Sequence, residues 1–136
     1  MSPYLENETL FYLGVPVIVE SEEKKFVLRT PGQLSVDVGC TVYAVKGAQI
    51  TVSCRASAPT GTPKIEWFRN GFPVQENRFS GDVAVISGAL RIRRLGRFNE
   101  GSYRCRASNK AGRTEAFFTA KIIREYSAEY TLLTVT

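Results

Sequence analysis

The chain has 136 residues, enough for one domain, and its 43% hydrophobic and 23% charged residues exclude wholesale disorder and collagen-like repeats. It has no histidine, which excludes histidine-based catalytic triads and histidine-ligated metal sites. The net charge of +5 is unevenly distributed, because residues 31–124 carry a net charge of +9 whereas residues 1–30 and 125–136 each carry −2.

Residues 1–30 are predicted to form an N-terminal extension or linker that includes an additional β-segment. The apolar run Leu10–Val19 is as long as the core of a signal peptide, but Gly14 and Pro16 interrupt it and no A-x-A site follows. We therefore interpret it as a linker that leads into an edge strand, where proline is tolerated. Asn7-Glu8-Thr9 is an N-x-T sequon, so Asn7 is a candidate glycosylation site if the chain is secreted.

From residue 26 onward the sequence shows only β patterning. Hydrophobic and polar residues alternate with period two in several short segments, as expected for strands with one buried face. The positions on the buried face are Ile50, Val52 and Cys54; Ile65 and Trp67; Leu90 and Ile92; Tyr103, Cys105 and Ala107; and Ala116, Phe118, Ala120 and Ile122. Turn signals separate these segments, at Asn70-Gly71 among other places. About seven short strands, with no long helical pattern, predict an all-β antiparallel sandwich.

One set of residues makes the prediction specific. Cys54 is followed by Trp67, then by Leu90-x-Ile92-x-x-Leu95, and finally by Gly101-x-Tyr103-x-Cys105-x-Ala107-x-Asn109-x-x-Gly112. This pattern resembles an immunoglobulin domain of the intermediate (I-set) type, a Greek-key β-sandwich, over residues 31–124, and it leaves residues 125–136 as a C-terminal tail. The run from Val36 to Tyr43 is more narrowly similar to the I-set domains of secreted matrix proteins in the papilin, punctin and ADAMTS-like group.

The resemblance implies roles in the core for its marker residues. Cys54 and Cys105 would lie on strands B and F and form a disulfide across the core, with Trp67 of strand C packed on it. Tyr103 would form the tyrosine corner, and Leu90 would fill the core from strand E. These are structural residues rather than a site.

Two positions raise separate questions. Cys40 is left without a partner, either as a half-buried free thiol or as one half of a disulfide to another chain or to a segment outside this sequence. The family usually has aspartate where this chain has Asn99, which removes a salt bridge that Arg78 could have made.

The resemblance also implies a protein-binding face. If Cys105 points inward, Arg104 and Arg106 point outward from strand F, while Phe68 on strand C and Phe117 on strand G are exposed beside them. Aromatic residues and arginine are enriched at interface hot spots, so we expect this face to bind a protein, either homotypically or heterotypically. The alternative is that the N-terminal extension or the tail residues Tyr126, Tyr130, Leu132 and Leu133 cover it.

A second candidate surface is basic. Arg91, Arg93, Arg94 and Arg97 lie within seven residues, Arg55 on neighbouring strand B can extend the group, and no acidic residue lies between Gly88 and Asn99. Guanidinium groups pair well with oxyanions, which favours a glycosaminoglycan such as heparan sulfate; the alternative is an ordinary solvated face.

These patterns predict a non-catalytic binding or adhesion module of a secreted, matrix or cell-surface protein. The competing class is a structural immunoglobulin module of an intracellular cytoskeletal or sarcomeric protein, whose cysteines would stay reduced. The sequence predicts no enzyme activity, no cofactor or metal, no nucleic-acid partner and no membrane insertion.

Overall fold

In a computed structural model, residues 7–124 are described, and all structural statements below concern them. They form one short helix and twelve strands. The bounds are α1 Asn7–Tyr12, β1 Val17–Ile18, β2 Lys25–Leu28, β3 Gln33–Asp37, β4 Cys40–Ala44, β5 Gln49–Ser53, β6 Ala56–Ser57, β7 Lys64–Arg69, β8 Phe72–Pro73, β9 Val83–Ile86, β10 Ala89–Ile92, β11 Gly101–Asn109 and β12 Gly112–Ile122. The predicted all-β sandwich is confirmed.

Two sheets form the sandwich. One has four strands in the order β3-β5-β10-β9, and the other has six in the order β2-β4-β12-β11-β7-β8. β1 and β6 form a separate short antiparallel pair. Strands B, C, E, F and G of the resemblance correspond to β5, β7, β10, β11 and β12.

The core lies between the sheets because the strands alternate as the sequence predicted. In β11, Tyr103, Cys105 and Ala107 are buried, while the residues between them are partly exposed. Cys105 and Cys54 form the disulfide that the resemblance implies. Trp67 is 1% exposed and donates its indole N–H to the Gly88 carbonyl at 3.0 Å, so its one polar group is satisfied inside the core.

The N-terminal strands extend both sheets on the same side. β2 pairs in parallel with β4, at the edge of the six-stranded sheet, and β3 pairs in parallel with β5, at the edge of the four-stranded sheet. Val38 and Gly39 connect the two layers, because Val38 N–H donates to the Ser53 carbonyl of β5 at 2.9 Å and Gly39 N–H donates to the Phe117 carbonyl of β12 at 2.8 Å. Residues on both sides of position 31 therefore pair with strands of the same sandwich; the division at that position stays a prediction.

The segment before β1 contains a short helix that the sequence did not predict. Residues 7–12 form α1, and only Val17–Ile18 form a strand after Pro16. Asn109 donates from Nδ2 to the Gly14 carbonyl at 2.7 Å, and the Thr114 hydroxyl donates to the Pro16 carbonyl. These contacts fix the segment to the β11–β12 hairpin, because both donors lie at that end of the sandwich.

Asn99 has a structural role that an aspartate could not fill in the same way. Its side-chain Nδ2 donates to the carbonyls of Gly81 at 3.1 Å and Arg94 at 2.9 Å, and its Oδ1 accepts from Gly96 N–H at 2.8 Å. The Tyr103 hydroxyl donates to the Asn99 backbone carbonyl, and burial raises the pKa of Tyr103 to about 12. The amide therefore secures the tyrosine corner without the salt bridge to Arg78.

Candidate binding surfaces

The outer face of β7, β11 and β12 brings the predicted protein-binding residues together in two rows. In the first row, Arg104 lies opposite Phe68 on one side and Phe117 on the other. In the second row, Arg106 lies opposite Glu66 and Glu115 in the same way. We call this surface, made of these six residues, the CFG face. The arrangement of these residues in two rows follows from strand register, because residues two apart on a strand share one side of a sheet.

The two arginines of the CFG face hold a fixed arrangement. The guanidinium carbons of Arg104 and Arg106 lie 4.8 Å and 4.6 Å from the centroid of the Phe68 ring. Their Nε atoms lie 3.3 Å and 3.2 Å from the same carboxylate oxygen, Oε2 of Glu115. Cation–π stacking and the shared carboxylate thus hold both side chains against the sheet.

The two phenylalanines differ in exposure, which corrects the expectation that both are exposed. Phe117 is 60% exposed, whereas Phe68 is only partly exposed because the arginines stack on its ring. Phe117 stands between two shallow grooves. One, of about 260 Å³, is lined by Phe68, Asn70 and Ser102 among others. The other, of about 420 Å³, is lined by Glu20, Lys24, Thr41 and Glu115 among others. Phe117 is therefore an apolar ridge with space on both sides.

The described N-terminal segment borders this ridge on one side, where Glu20 and Lys24 line the larger groove, and Phe117 stays 60% exposed beside it. The tail residues Tyr126, Tyr130, Leu132 and Leu133, which the sequence offered as an alternative cover, lie outside residues 7–124. Among the described residues, the CFG face is thus open at Phe117.

The five predicted polyanion-binding arginines, here called the arginine patch, are less free than the sequence suggested. Asp82 Oδ1 lies 2.9 Å from Arg93 Nη2 and 3.1 Å from Arg94 Nη2, and these arginines hold the pKa of the Asp82 carboxyl below its usual range. Arg55 Nη2 lies 2.9 Å from Asp37 Oδ2. The arginine patch therefore has carboxylate neighbours. The expectation of an unopposed patch, which rested on the absence of acidic residues between Gly88 and Asn99, is wrong.

Strand pairing explains why Asp82 lies beside Arg93 and Arg94. β10 runs antiparallel to β9, and Ile92 pairs with Val83, so the residue after Ile92 meets the residue before Val83. Arg91 and Arg97 have no carboxylate within ion-pair distance among residues 7–124. The guanidinium carbon of Arg97 instead lies 5.3 Å from the Phe98 ring centroid.

Cys40 is buried rather than half-buried, with 6% exposure. Its Sγ lies 3.4 Å from the Asp37 carbonyl oxygen, in the geometry of a weak hydrogen bond. Burial raises the pKa of the Cys40 thiol, and nearby Lys24 only partly offsets this effect. Cys40 also lines the larger groove beside Phe117, so the disulfide to another chain stays a prediction.

Asn7 is the first residue of α1, and its glycosylation stays a prediction. Among residues 7–124, no three Cys, Asp or Glu side chains form a group that could hold a metal ion. The one helix in this range is too short to cross a membrane.

Comparison with known proteins identifies similar chains. The profile described as "Immunoglobulin I-set domain" matches residues 36–122. Human ADAMTS-like protein 3 is 32% identical over 113 residues, which cover 82% of this chain and 6% of that protein. Human receptor-type tyrosine-protein phosphatase F is 32% identical over 83 residues, which cover 60% of this chain and 4% of that protein. The chain thus spans a small fraction of the length of these relatives.

Solved structures agree in fold. Neural ectodermal development factor IMP-L2 superposes with a TM-score of 0.59 at 21% identity, over 80% of this chain and 44% of that one. A chimeric titin Z1Z2 protein superposes with a TM-score of 0.54 at 20% identity, over 81% and 96%. At these identities the likeness concerns the fold alone.

Proposed function

Because this chain belongs to the immunoglobulin I-set domain family, we propose that it is a non-catalytic protein-binding module that binds its partner through the CFG face. The observation that carries the proposal is Phe117, a large apolar side chain that is 60% exposed beside a fixed pair of arginines. Such residues dominate the energetics of protein interfaces, since aromatic and arginine side chains are enriched at hot spots.

The shape of the surface supports this proposal. Phe117 projects between two open grooves, so a partner could cover the ring and fill both sides of it. Arg104 and Arg106 are partly buried before any partner binds, with side-chain exposures of 31% and 22%. Little conformational entropy would then be lost on binding, because the side chains are already ordered.

We further propose that the module belongs to a secreted, matrix or cell-surface protein. The Cys54–Cys105 disulfide supports this location, because disulfides persist in oxidising compartments. Its relatives include an ADAMTS-like protein and a receptor-type phosphatase. The titin neighbour is similar in fold alone, so it adds no weight to the intracellular alternative. In protein from its native source, denatured without reduction, we expect iodoacetamide to alkylate Cys40 alone; alkylation of all three cysteines would favour the intracellular class.

The test of the CFG face uses a single substitution, Phe117→Ser, because Phe68 is partly buried and its loss could unsettle the fold. Fluorescent domain is titrated onto matrix laid down by cultured cells, and self-association is followed by sedimentation. Phe98→Ser is the matched control, since Phe98 is 81% exposed away from the CFG face. We expect Phe117→Ser to weaken binding at least about tenfold, as for a hot-spot residue, and Phe98→Ser to leave it unchanged. Equal binding by both variants, with intact thermal unfolding, would overturn the proposal.

A second candidate function is binding of a sulfated polysaccharide at the arginine patch. Arg91 and Arg97, which lack carboxylate partners among the described residues, are the observation that favours it. Two aspartates oppose the five arginines and leave a formal charge of +3 on the patch. Guanidinium groups without internal partners are the ones free to pair with sulfate.

A further inference from the structure

The arginine pair of the CFG face has donor groups that nothing in the described chain uses. From this we infer that Arg104 and Arg106 form a carboxylate-binding site, and that the partner presents an extended segment in which Asp or Glu residues lie two positions from apolar ones. The inference rests on the proposed protein-binding function of the CFG face, and it names the chemistry of the partner.

Most donors of the two guanidinium groups have no partner among the described residues. A guanidinium group carries five N–H donors in a planar fork, one on Nε and four on the two Nη atoms. In both arginines the Nε group faces Glu115 Oε2, at 3.3 Å and 3.2 Å. Among residues 7–124, the side-chain hydrogen bond of this pair runs from Arg106 Nε to Glu115, and no Nη atom of Arg104 or Arg106 donates one. The Nη edges, which bind carboxylates bidentately, are therefore free.

The positive charge of Arg104 and Arg106 is only partly balanced by nearby carboxylates. Two guanidinium groups share the single carboxylate of Glu115, and Glu66 lies beside Lys64 instead, with 3.8 Å between Oε2 and Nζ. The pair therefore keeps an excess positive charge. Because both side chains are largely shielded from water, an added carboxylate would interact with them more strongly than with fully exposed arginines.

The residues around Arg104 and Arg106 favour an acidic protein segment over a densely sulfated chain. Glu66 and Glu115 flank Arg106, so a polymer with closely spaced sulfates would bring several anions beside these two glutamates, whereas a peptide can bring a single carboxylate to the arginine pair. The row of Phe68, Arg104 and Phe117 instead offers apolar contact on both sides of one guanidinium. A partner strand with an acidic and an apolar residue two positions apart would present both to this row, because alternate residues on a strand share one face.

The experiment follows the side-chain Nε–Hε signals of Arg104 and Arg106 by NMR in the whole domain, and the backbone amide signals of β7, β11 and β12 in every variant. The probes are a short end-blocked peptide that repeats Glu-Ser-Tyr-Ser, which places glutamate and tyrosine on one face of an extended strand, the same peptide with glutamine for glutamate, and a heparin oligosaccharide. Arg104→Gln with Arg106→Gln removes the pair. Arg29→Gln with Arg78→Gln is the matched control, since these arginines are exposed, lie outside the CFG face and have no ion pair among the described residues.

We expect the glutamate peptide to shift both Nε–Hε signals saturably, and the glutamine peptide to bind at least about tenfold more weakly, as for loss of charge-assisted hydrogen bonds. The double variant of the pair should show the same loss, and the control variant should not. Equal binding of the two peptides, equal loss in both variants, or shifts with heparin but not with the glutamate peptide would each overturn the inference.

The two proposals can fail separately. If Phe117→Ser abolishes matrix binding while Arg104→Gln with Arg106→Gln retains it, the CFG face binds protein but not through a carboxylate, and only this inference is wrong. If neither substitution changes matrix binding, the proposed function is wrong as well.

Discussion

Arg106 stacks on Phe68 across neighbouring strands, with its guanidinium carbon 4.6 Å from the ring centroid. The contact orders a charged side chain on an open sheet face before any partner arrives. It also explains why Phe68 is partly buried although it points away from the core.

This stack predicts a measurable contribution of the Phe68 ring to stability. Phe68→Leu keeps an apolar side chain but removes the π face, so we expect the free energy of unfolding in urea to fall by about 1 kcal/mol for the two cation–π contacts together. Phe72→Leu is the control, because Phe72 is 74% exposed and has no stacked arginine among the described residues. Equal losses in the two variants would show that the stack contributes nothing.

The turn between β3 and β4 predicts an effect of the N-terminal segment. Gly39 has φ +97°, and a Cβ built on it would lie 2.7 Å from Glu20 Oε1 and 2.9 Å from Glu20 Cβ. Gly47 has a similar φ of +91°, but a Cβ there would meet nothing within 4 Å. We expect Gly39→Ala to lower the free energy of unfolding by about 1–3 kcal/mol, and by more than Gly47→Ala, which tests backbone strain alone. Equal costs would mean that Glu20 does not pack on this turn.

Burial of Cys40 predicts a slow and pH-shifted thiol reaction. The thiolate is the reactive form, and burial raises the pKa of this thiol, so less thiolate is present at a given pH than in an exposed cysteine. We expect the native domain to react slowly with a disulfide reagent such as DTNB, with the rate rising at higher pH than for the same protein in urea. Native and denatured protein that reacted at the same rate and over the same pH range would contradict the burial of Cys40.

Heparin chromatography tests the arginine patch. Replacing Arg91, Arg93, Arg94 and Arg97 by serine should lower the salt needed for elution. Fewer positive charges then hold the heparin, and less salt is enough to screen those that remain. The ion pairs refine this expectation: Asp82→Asn should increase retention, since it frees Arg93 and Arg94. Arg91→Ser with Arg97→Ser should reduce retention more than Arg93→Ser with Arg94→Ser. A folded quadruple variant that elutes with the unmodified domain would exclude the arginine patch as the binding surface.

The outward direction of Arg104, Arg106 and Phe117 could be predicted from sequence because strand alternation has a fixed period of two and Cys105 sets its phase. The same reasoning missed the pairing of Asp82 with Arg93 and Arg94, since it searched only the segment around the arginines. A signal was present: in an antiparallel β9–β10 hairpin, residues flanking the turn at matching distances meet across it. Partial burial of Phe68 could not be read from the pattern, because it depends on where two arginine side chains settle.

The secondary structure of the N-terminal region was harder to predict from sequence, for a different reason. A short apolar run such as Leu10–Val19 fits a helix or a strand equally well, and the structure divides it between α1 and β1. Parallel pairing of β2 and β3 with strands of two different sheets also leaves no local signature, because each strand bonds to a partner that is not its neighbour along the chain.

The measurement that tests the central proposal most directly is oxidative footprinting of the unmodified domain, free and bound to cell-derived matrix. Phe117 and Phe98 are both exposed in the free domain, at 60% and 81%, so both should be labelled there. If the CFG face binds the partner, labelling of Phe117 falls on binding while labelling of Phe98 is unchanged. Labelling of Phe117 that stays at the level of the free domain, on protein shown to be bound, would contradict the proposal.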